Sequence, residues 1–150
     1  MNRLRMSEAI FEAIRAHGER TYPHECCGAL VGRRGVDGWK VESAAEAVNA
    51  RANPLEDAAR DRYEISPTEI VEITLTARRQ GLEIVGFYHS HPDRGAQWSQ
   101  TDLADAHWIG CSYVITAVRD GKAAETNSFC LEGTSEETKR FVKESIEVQE

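Results

Sequence analysis

Residues 86–102 read G-F-Y-H-S-H-P-D-R-G-A-Q-W-S-Q-T-D, and the interpretation of the whole sequence depends on this stretch. The apolar run Leu82–Tyr88 predicts a buried strand that leads directly into His89-Ser90-His91-Pro92. Residues two apart on a strand point to the same face, so His89 and His91 would lie side by side while Ser90 points away. Two imidazoles arranged in this way can bind one metal ion, although an isolated H-x-H is more often without a function.

Ser99-Gln100-Thr101-Asp102, which follows a short loop, supports two interpretations. The first is a capping box that begins a helix, with Ser99 at the N-cap and an acid three residues later. The second is a ligand, because a carboxylate in the first helical turn can point outward toward the end of the preceding strand. His89, His91 and Asp102 would then form a set of two histidines and one carboxylate with an open fourth position, as in catalytic zinc sites.

Glu25 is the candidate for handling the proton of an activated water molecule. It stands at the start of the apolar run Cys26–Val31, which predicts a second strand, and it could equally be an exposed surface acid. His24-Glu25-Cys26-Cys27-Gly28 begins like the H-E-x-x-H motif of zinc peptidases, but position 28 is glycine and that interpretation fails. We therefore expect His24 to be a neighbour of the site and not a ligand.

The ordered set of Glu25, His89-x-His91 and Ser99-x-x-Asp102 resembles the signature of the JAMM (MPN-plus) zinc metallopeptidase family, in its compact prokaryotic form. The resemblance implies that His89, His91 and Asp102 bind one Zn²⁺, that Glu25 acts as general base and then acid, and that Ser99 stabilises the oxyanion. It extends over most of the chain, including H-E-C-C-G-A-L-V-G and S-Y-V-I-T. One difference is Trp98, since relatives often have proline just before the serine.

The resemblance also implies a substrate class. Members of the family hydrolyse the amide bond that follows the C-terminal Gly-Gly of a ubiquitin-like protein, and compact bacterial members trim ubiquitin-fold sulfur carriers. Because the segment 49–66 and the hairpin at Gly121 leave little room for the insertions of larger deubiquitinases, we expect a sulfur-carrier or another small ubiquitin-like partner whose tail adds as a strand. The main alternative is an inactive scaffold of the same fold that only binds partners. The zinc deaminase signature, H-x-E followed by P-C-x-x-C, does not occur.

The pattern of elements predicts one domain over residues 1–150, of mixed α/β (α+β) class. From the resemblance we expect the MPN/JAMM-like, cytidine-deaminase-like three-layer sandwich, with a mixed and partly curved sheet flanked by helices. The remaining predicted elements are helices at 6–17, from Ser66-Pro67 to Gly81, from Ser99 to about Ile109 and at Ser135–Val148, strands at 39–48, 112–118 and 126–131, and a loop at 49–66. The acidic tail from Glu144 to Glu150 is expected to be a solvated helix face.

Composition limits the remaining classes. The apolar fraction of 41% and the charged fraction of 29% are those of a globular protein, and no apolar run is long enough for a membrane span. A net charge of −7 without a basic stripe argues against binding nucleic acid. The four cysteines form no C-x-x-C pair and the N-terminus has no secretory signal, so we expect reduced thiols and a cytoplasmic location. The oligomeric state is open, and a dimer is compatible with the sequence.

Overall fold

The computed structural model describes residues 2–51 and 62–150. Within these ranges the chain forms strands and helices in the order β1 (Arg3–Ser7), α1 (Glu8–Thr21), β2 (Cys27–Arg34), β3 (Gly38–Ala47), α2 (Pro67–Arg79), β4 (Glu83–Pro92), α3 (Gln100–Asp105), β5 (Ser112–Arg119), β6 (Lys122–Glu132) and β7 (Arg140–Gln149).

One mixed sheet contains all of these strands, in the order β1-β3-β2-β4-β5-β6-β7, and it closes on itself because β1 pairs with both β3 and β7. β4 and β5 are parallel, whereas β2 runs antiparallel to β3 and β4. At the closure, Gly38 has a φ of 148°, and a Cβ at this position would lie 2.0 Å from the main-chain oxygen of Arg3. Only glycine fits there, since it has no Cβ and tolerates positive φ.

The two faces of the sheet carry separate apolar clusters. Helix α1 lies on the concave face, where it contacts β1 and β3 to β7, and its Ile14 packs with Leu4, Met6 and Tyr88. Helices α2 and α3 contribute to the cluster on the other face, which includes Phe87. A curved mixed sheet with helices on both faces confirms the predicted α+β class.

The predicted closing helix at 135–148 is wrong. Residues Arg140–Gln149 form β7, which pairs antiparallel with β6 and parallel with β1. The spacing of Phe141, Ile146 and Val148 suggested one helical face, but β-branched residues also favour strands, and pairing with two neighbours decides between the two states. The acidic tail is therefore not a helix face, and Glu144 within it is buried against Ser112.

The N-terminal prediction is corrected in a related way. Residues 3–7 form the short strand β1, which the sequence did not indicate, and Met6 is buried within it and is not part of the first helix. The helix starts after Ser7, whose side chain accepts a hydrogen bond from the N–H of Ile10. The helix begun at Ser66-Pro67 is confirmed, with Ser66 as its N-cap.

Two other boundaries differ or lie outside the described residues. Helix α3 ends at Asp105 and not near Ile109, because Ala106 at its C-cap has extended backbone. The predicted loop at 49–66 falls largely on residues 52–61, which lie outside the described residues.

The four cysteines are buried and unbridged. Burial raises the pKa of the Cys26 and Cys111 thiols to about 12, so both thiols are protonated and unreactive at neutral pH. Among the described residues, no helix has both the length and the apolar character needed to cross a membrane. The cytoplasmic location stays a prediction.

Candidate metal centre

The two histidines lie at the carboxyl end of β4 on the face that carries α2 and α3. Strand alternation places His89 and His91 on the same side as Phe87, while Ser90 points to the opposite side, toward α1. The histidine side chains are 2% and 1% exposed, and their Nε2 atoms lie 3.1 Å apart. Two imidazole nitrogens thus converge on one buried point.

Asp102, in the first turn of α3, is the third residue of this cluster. Its Oδ2 lies 3.1 Å from Nε2 of His91, and its Oδ1 lies 3.3 Å from Nε2 of His89. One ligand atom from each of the three residues lies within 4.8 Å of the others. The cluster can therefore hold a metal ion, and all three side chains are buried.

The capping box predicted at Ser99 is also present. The Ser99 hydroxyl accepts a hydrogen bond from the N–H of Asp102 at 3.0 Å, and the N–H of Ser99 donates to Oδ2 of Asp102 at 2.9 Å. The cap fixes the carboxylate with respect to the helix, so that it faces the histidines. The same arrangement therefore provides the cap and a carboxylate that faces both histidines, so the two interpretations are compatible.

Neighbouring groups fix the orientation of both imidazoles. Nδ1 of His91 lies 2.9 Å from the carbonyl oxygen of Gly95, and if it donates to that carbonyl, Nε2 is the nitrogen left to accept or to bind a metal. The ring of Tyr63 stacks on His89, with centroids 4.4 Å apart and planes 23° apart. Nδ1 of His89 is buried and has no hydrogen-bond partner within the described part of the chain.

The electrostatics of the cluster favour metal binding. Burial lowers the pKa of His89, against the opposing effect of Asp102, so the ring is neutral at pH 7 as a metal ligand must be. Burial alone would raise the pKa of Asp102, but the nearby His89 and His91 outweigh it and hold that pKa well below its usual value. The cluster thus offers His89 as a neutral donor and Asp102 as an anionic donor.

The register of β2 against β4 places Glu25 near the cluster of His89, His91 and Asp102. Cys27 pairs with His89 in this antiparallel ladder, so Glu25, two residues earlier, lies opposite the end of β4 near His91. Its side chain is fully buried and is bound by the guanidinium of Arg94. Its main-chain oxygen accepts a hydrogen bond from Nδ2 of Asn49 at 3.2 Å. Glu25 is therefore not the exposed surface acid that the sequence alone also allowed.

A hydrogen bond on the opposite face of β4 fixes the start of β2. The hydroxyl of Ser90 accepts from the N–H of Cys26 at 2.8 Å, and both residues are buried. The residue between the two histidines thus connects their strand to the main chain next to Glu25.

Three aromatic residues on either side of Asp102 in the sequence contact groups outside the cluster. Nδ1 of His107 lies 2.8 Å from Glu136 at the surface, Trp98 packs on Phe141, and Trp108 contacts the edge of Phe87. These positions agree with packing or surface roles.

Sequence reasoning missed Arg94, Tyr63 and the role of Ser90. For Arg94 a signal was present, since it is the one basic residue between His91 and Ser99. For Tyr63 the sequence offers no local signal.

A cavity of about 280 Å³ lies beside the cluster and shares Tyr63 with it. Ile65, Phe87, Trp108 and Tyr113 contribute apolar and aromatic surface to the cavity, whereas Arg62 and Asp105 supply charged groups. His89, His91 and Asp102 do not line this cavity, so it is a neighbouring region and not the candidate metal site itself.

The sequence model described as prokaryotic homologues of the JAB domain matches residues 7–131. The chain belongs to this family. Membership confirms the predicted resemblance to JAMM proteins of the compact prokaryotic type.

Several prokaryotic proteins are similar to this member of the JAB-domain family. Desampylase of Haloferax volcanii is 39% identical over 93 residues, which cover 62% of each chain. A probable TtuB-protein conjugate cleaving protease of Thermus thermophilus is 30% identical over 70% of this chain and 64% of its own. CysO-cysteine peptidase of Mycobacterium tuberculosis is 28% identical over 80% of this chain and 77% of its own. The chain thus spans less than two thirds of the length of the first two.

Solved structures show the same fold. A solution structure of a protein from Desulfitobacterium hafniense superposes with a TM-score of 0.80 at 26% identity, covering 98% of this chain and 93% of the other. A protein from Salinibacter ruber gives a TM-score of 0.72 at 34% identity, covering 97% and 91%.

Proposed function

We propose that this chain is a zinc-dependent peptidase that hydrolyses the amide bond after the C-terminal Gly-Gly of a ubiquitin-like protein. The observation that carries the proposal is the buried convergence of His89, His91 and Asp102, with Glu25 held just before the adjacent strand β2. Family membership supports it, and so do the names of three similar proteins, a desampylase, a probable TtuB-protein conjugate cleaving protease and a CysO-cysteine peptidase.

The donor set fits zinc. Two imidazole nitrogens and one carboxylate, with a fourth position open, are the ligands of a catalytic zinc ion. The two Nε2 atoms lie 3.1 Å apart, and each lies 3.1–3.3 Å from one oxygen of Asp102. These separations are close to the edge length of a tetrahedron whose metal–ligand bonds are about 2.0–2.1 Å. The hydrogen bond between Nδ1 of His91 and Gly95 is the outer support that metal-binding histidines usually have.

His89, His91 and Asp102 would hold the ion. When bound, zinc would polarise a water molecule and the substrate carbonyl group. Glu25 takes one proton from the attacking water and delivers it to the leaving nitrogen, first as general base and then as general acid. The burial of Glu25 keeps bulk water away from this proton transfer.

Ser99 is suited to stabilising the oxyanion. A serine hydroxyl has one donor and two acceptor positions. The capping box uses the hydroxyl of Ser99 as an acceptor, which leaves its O–H to donate to the negative oxygen that develops on the substrate carbonyl.

Around the bond that is cleaved, the substrate is an extended protein tail and not a folded surface. Two glycines can approach a narrow site that larger side chains cannot enter. The cavity next to Tyr63 offers apolar surface for the residues that precede the glycines. A sulfur carrier or another small ubiquitin-like protein is the proposed partner.

The test is incubation of the zinc-loaded chain with ubiquitin-fold carriers extended beyond Gly-Gly, followed by mass spectrometry of the products. We expect cleavage directly after the second glycine. Glu25→Gln should retain zinc and lose roughly 10²–10⁴-fold in turnover, since a general acid–base contributes about that much. Glu132→Gln, which alters an exposed ion pair with Arg140, is the matched control and should cleave normally.

Zinc binding without cleavage of any carrier would favour the inactive scaffold and contradict the proposal. Normal cleavage by Glu25→Gln would remove this residue from the mechanism.

A further inference from the structure

The most unusual group beside the candidate site is the guanidinium of Arg94. It binds the carboxylate of Glu25, although the two residues are 69 positions apart in the sequence. The Glu25 side chain is completely buried, whereas the Arg94 side chain is 35% exposed. A fixed positive charge thus lies between the proposed proton carrier and the solvent.

The residues on either side hold the main chain of Arg94 in place. Asp93 has a φ of 57°, and its carboxylate accepts hydrogen bonds from the O–H of Tyr22 at 2.6 Å and the N–H of Asp120 at 3.0 Å. The carbonyl oxygen of Gly95 lies 2.9 Å from Nδ1 of His91. With both neighbours anchored, Arg94 is directed toward Glu25 by the loop itself.

Arg94 retains hydrogen-bonding capacity beyond Glu25. A guanidinium carries five N–H donors in a planar fork and can bind two carboxylates at different edges. Within residues 2–51 and 62–150, the contact with Glu25 is made through Nη2, and Nε is buried without a partner, so the donors left for a second anion are those of the other terminal nitrogen. The exposed part of the side chain can therefore receive a second anion.

We propose that Arg94 is a specificity-determining residue that binds the α-carboxylate of the leaving group. The inference rests on the proposed function and narrows its substrate class. The preferred substrate is a ubiquitin-like protein extended at its C-terminus by an amino acid with a free carboxylate, and not one joined to a lysine side chain.

The position of Arg94 next to Glu25 matches the place where the carboxylate of the leaving group would lie. Water adds its oxygen to the carbonyl carbon of the second glycine, the C–N bond breaks, and Glu25 moves one water proton to the departing nitrogen. The products are a Gly-Gly carboxylate and a free amino acid. In an α-amino acid the carboxylate sits on the same carbon as that nitrogen, so its binding group must adjoin the proton donor, as Arg94 adjoins Glu25.

Electrostatics point in the same direction. A leaving carboxylate next to Glu25 would meet a like charge, and the chain as a whole carries a net charge of −7. Arg94 supplies the opposite charge at this point. The departing nitrogen of a lysine side chain is surrounded by methylene groups and gives Arg94 nothing to bind.

The experiment compares two carriers that differ only at the last group, Gly-Gly-Ala with a free acid and Gly-Gly-Ala with a C-terminal amide. The zinc-loaded chain should have a kcat/KM for the acid roughly 10–100-fold above that for the amide, the range expected of one charge-assisted contact. Arg94→Gln should lose this preference, because kcat/KM should fall further for the acid than for the amide, and Arg94→Lys should retain part of it. Arg140→Gln, at an exposed ion pair, is the matched control and should retain all of it.

An equal loss on both carriers in Arg94→Gln would overturn the inference, because Arg94 would then only position Glu25. A gain in turnover would also overturn it, since the ion pair would then be inhibitory. Cleavage of the acid and the amide at equal rates by the unchanged chain refutes the inference but leaves the proposed function intact. Failure to cleave either carrier, or a lysine-linked one, refutes the proposed function itself.

Discussion

Ser90→Ala tests how the candidate site is held together, because it removes a single oxygen atom from the face of β4 opposite the metal cluster. The Ser90 hydroxyl is 2.8 Å from the N–H of Cys26 and is completely buried. Without it, that N–H becomes a buried donor with no acceptor, which costs about 1–3 kcal/mol. At roughly 2–4 °C per kcal/mol for a chain of this size, the melting temperature should fall by roughly 2–12 °C.

The effect on turnover should be larger than the loss of stability suggests. The N–H of Cys26 is the main-chain group next to Glu25, so its release allows the carboxylate to shift. A shift of about 1 Å can cost roughly 100-fold in rate, and we expect kcat to fall roughly 10–100-fold. Zinc affinity should not change, because His89 and His91 project from the other face of the strand.

The assay is single-turnover cleavage of a Gly-Gly-extended carrier at a temperature where every variant is folded. Ser112→Ala is the matched control, since this serine is also completely buried, and its hydroxyl donates to Glu144 of β7 at 2.7 Å. The control should lose stability and keep its kcat. If Ser90→Ala has the stability loss but a normal kcat, the hydroxyl is structural only and the reasoning is refuted.

Three other predictions concern the metal, the closure of the sheet and a buried acid. Asp102→Asn keeps an oxygen for the capping box but loses the anionic ligand, so zinc affinity in a competition titration should fall by more than ~100-fold, while Asp105→Asn should not change it. Gly38→Ala should lower the melting temperature more than Gly81→Ala, since both have positive φ but only at Gly38 would a Cβ collide with backbone; equal losses would contradict the argument from the closure. Burial raises the pKa of Glu144, so its ionisation destabilises the fold above that pKa, and Glu144→Gln should raise the melting temperature at pH 7. This gain should disappear as the pH falls below the usual pKa of a glutamate, and a gain that does not depend on pH would contradict it.

The cluster that forms the candidate ligand set was predictable because its residues are close in sequence. His89 and His91 share a face through strand alternation, and Asp102 follows them within a spacing that one loop can close. Each is a local consequence of backbone geometry. The antiparallel register that places Cys27 opposite His89 is different, because it brings Glu25 to the site from 64 residues away and no local pattern encodes it. The sequence named Glu25 as a candidate from its place before the run Cys26–Val31 but left it open as a surface acid, and the resemblance to a family then favoured the first interpretation.

The errors have the same origin. Arg3–Ser7 and Arg140–Gln149 are strands largely because they pair with each other, over a separation of nearly the whole chain. Taken alone, the first is too short to be recognised and the second has apolar residues that also suit a helix. Arg94 was missed because its contact with Glu25 depends on the conformation of a loop, which the anchoring of Asp93 determines.

Asp102 shows why a structural and a functional interpretation of one motif need not compete. A carboxylate has two oxygens with several acceptor positions, so Oδ2 can accept the N–H of Ser99 while the same group faces both histidines. The capping hydrogen bond holds the carboxylate in one orientation. The side chain therefore loses less conformational entropy when it binds a metal ion. The cap therefore favours metal binding energetically. As a sequence motif, however, a capping box does not by itself show whether the residue at its third helical position is a metal ligand. What decides is the location of the helix start, which in this fold lies against the end of a strand that carries two imidazoles.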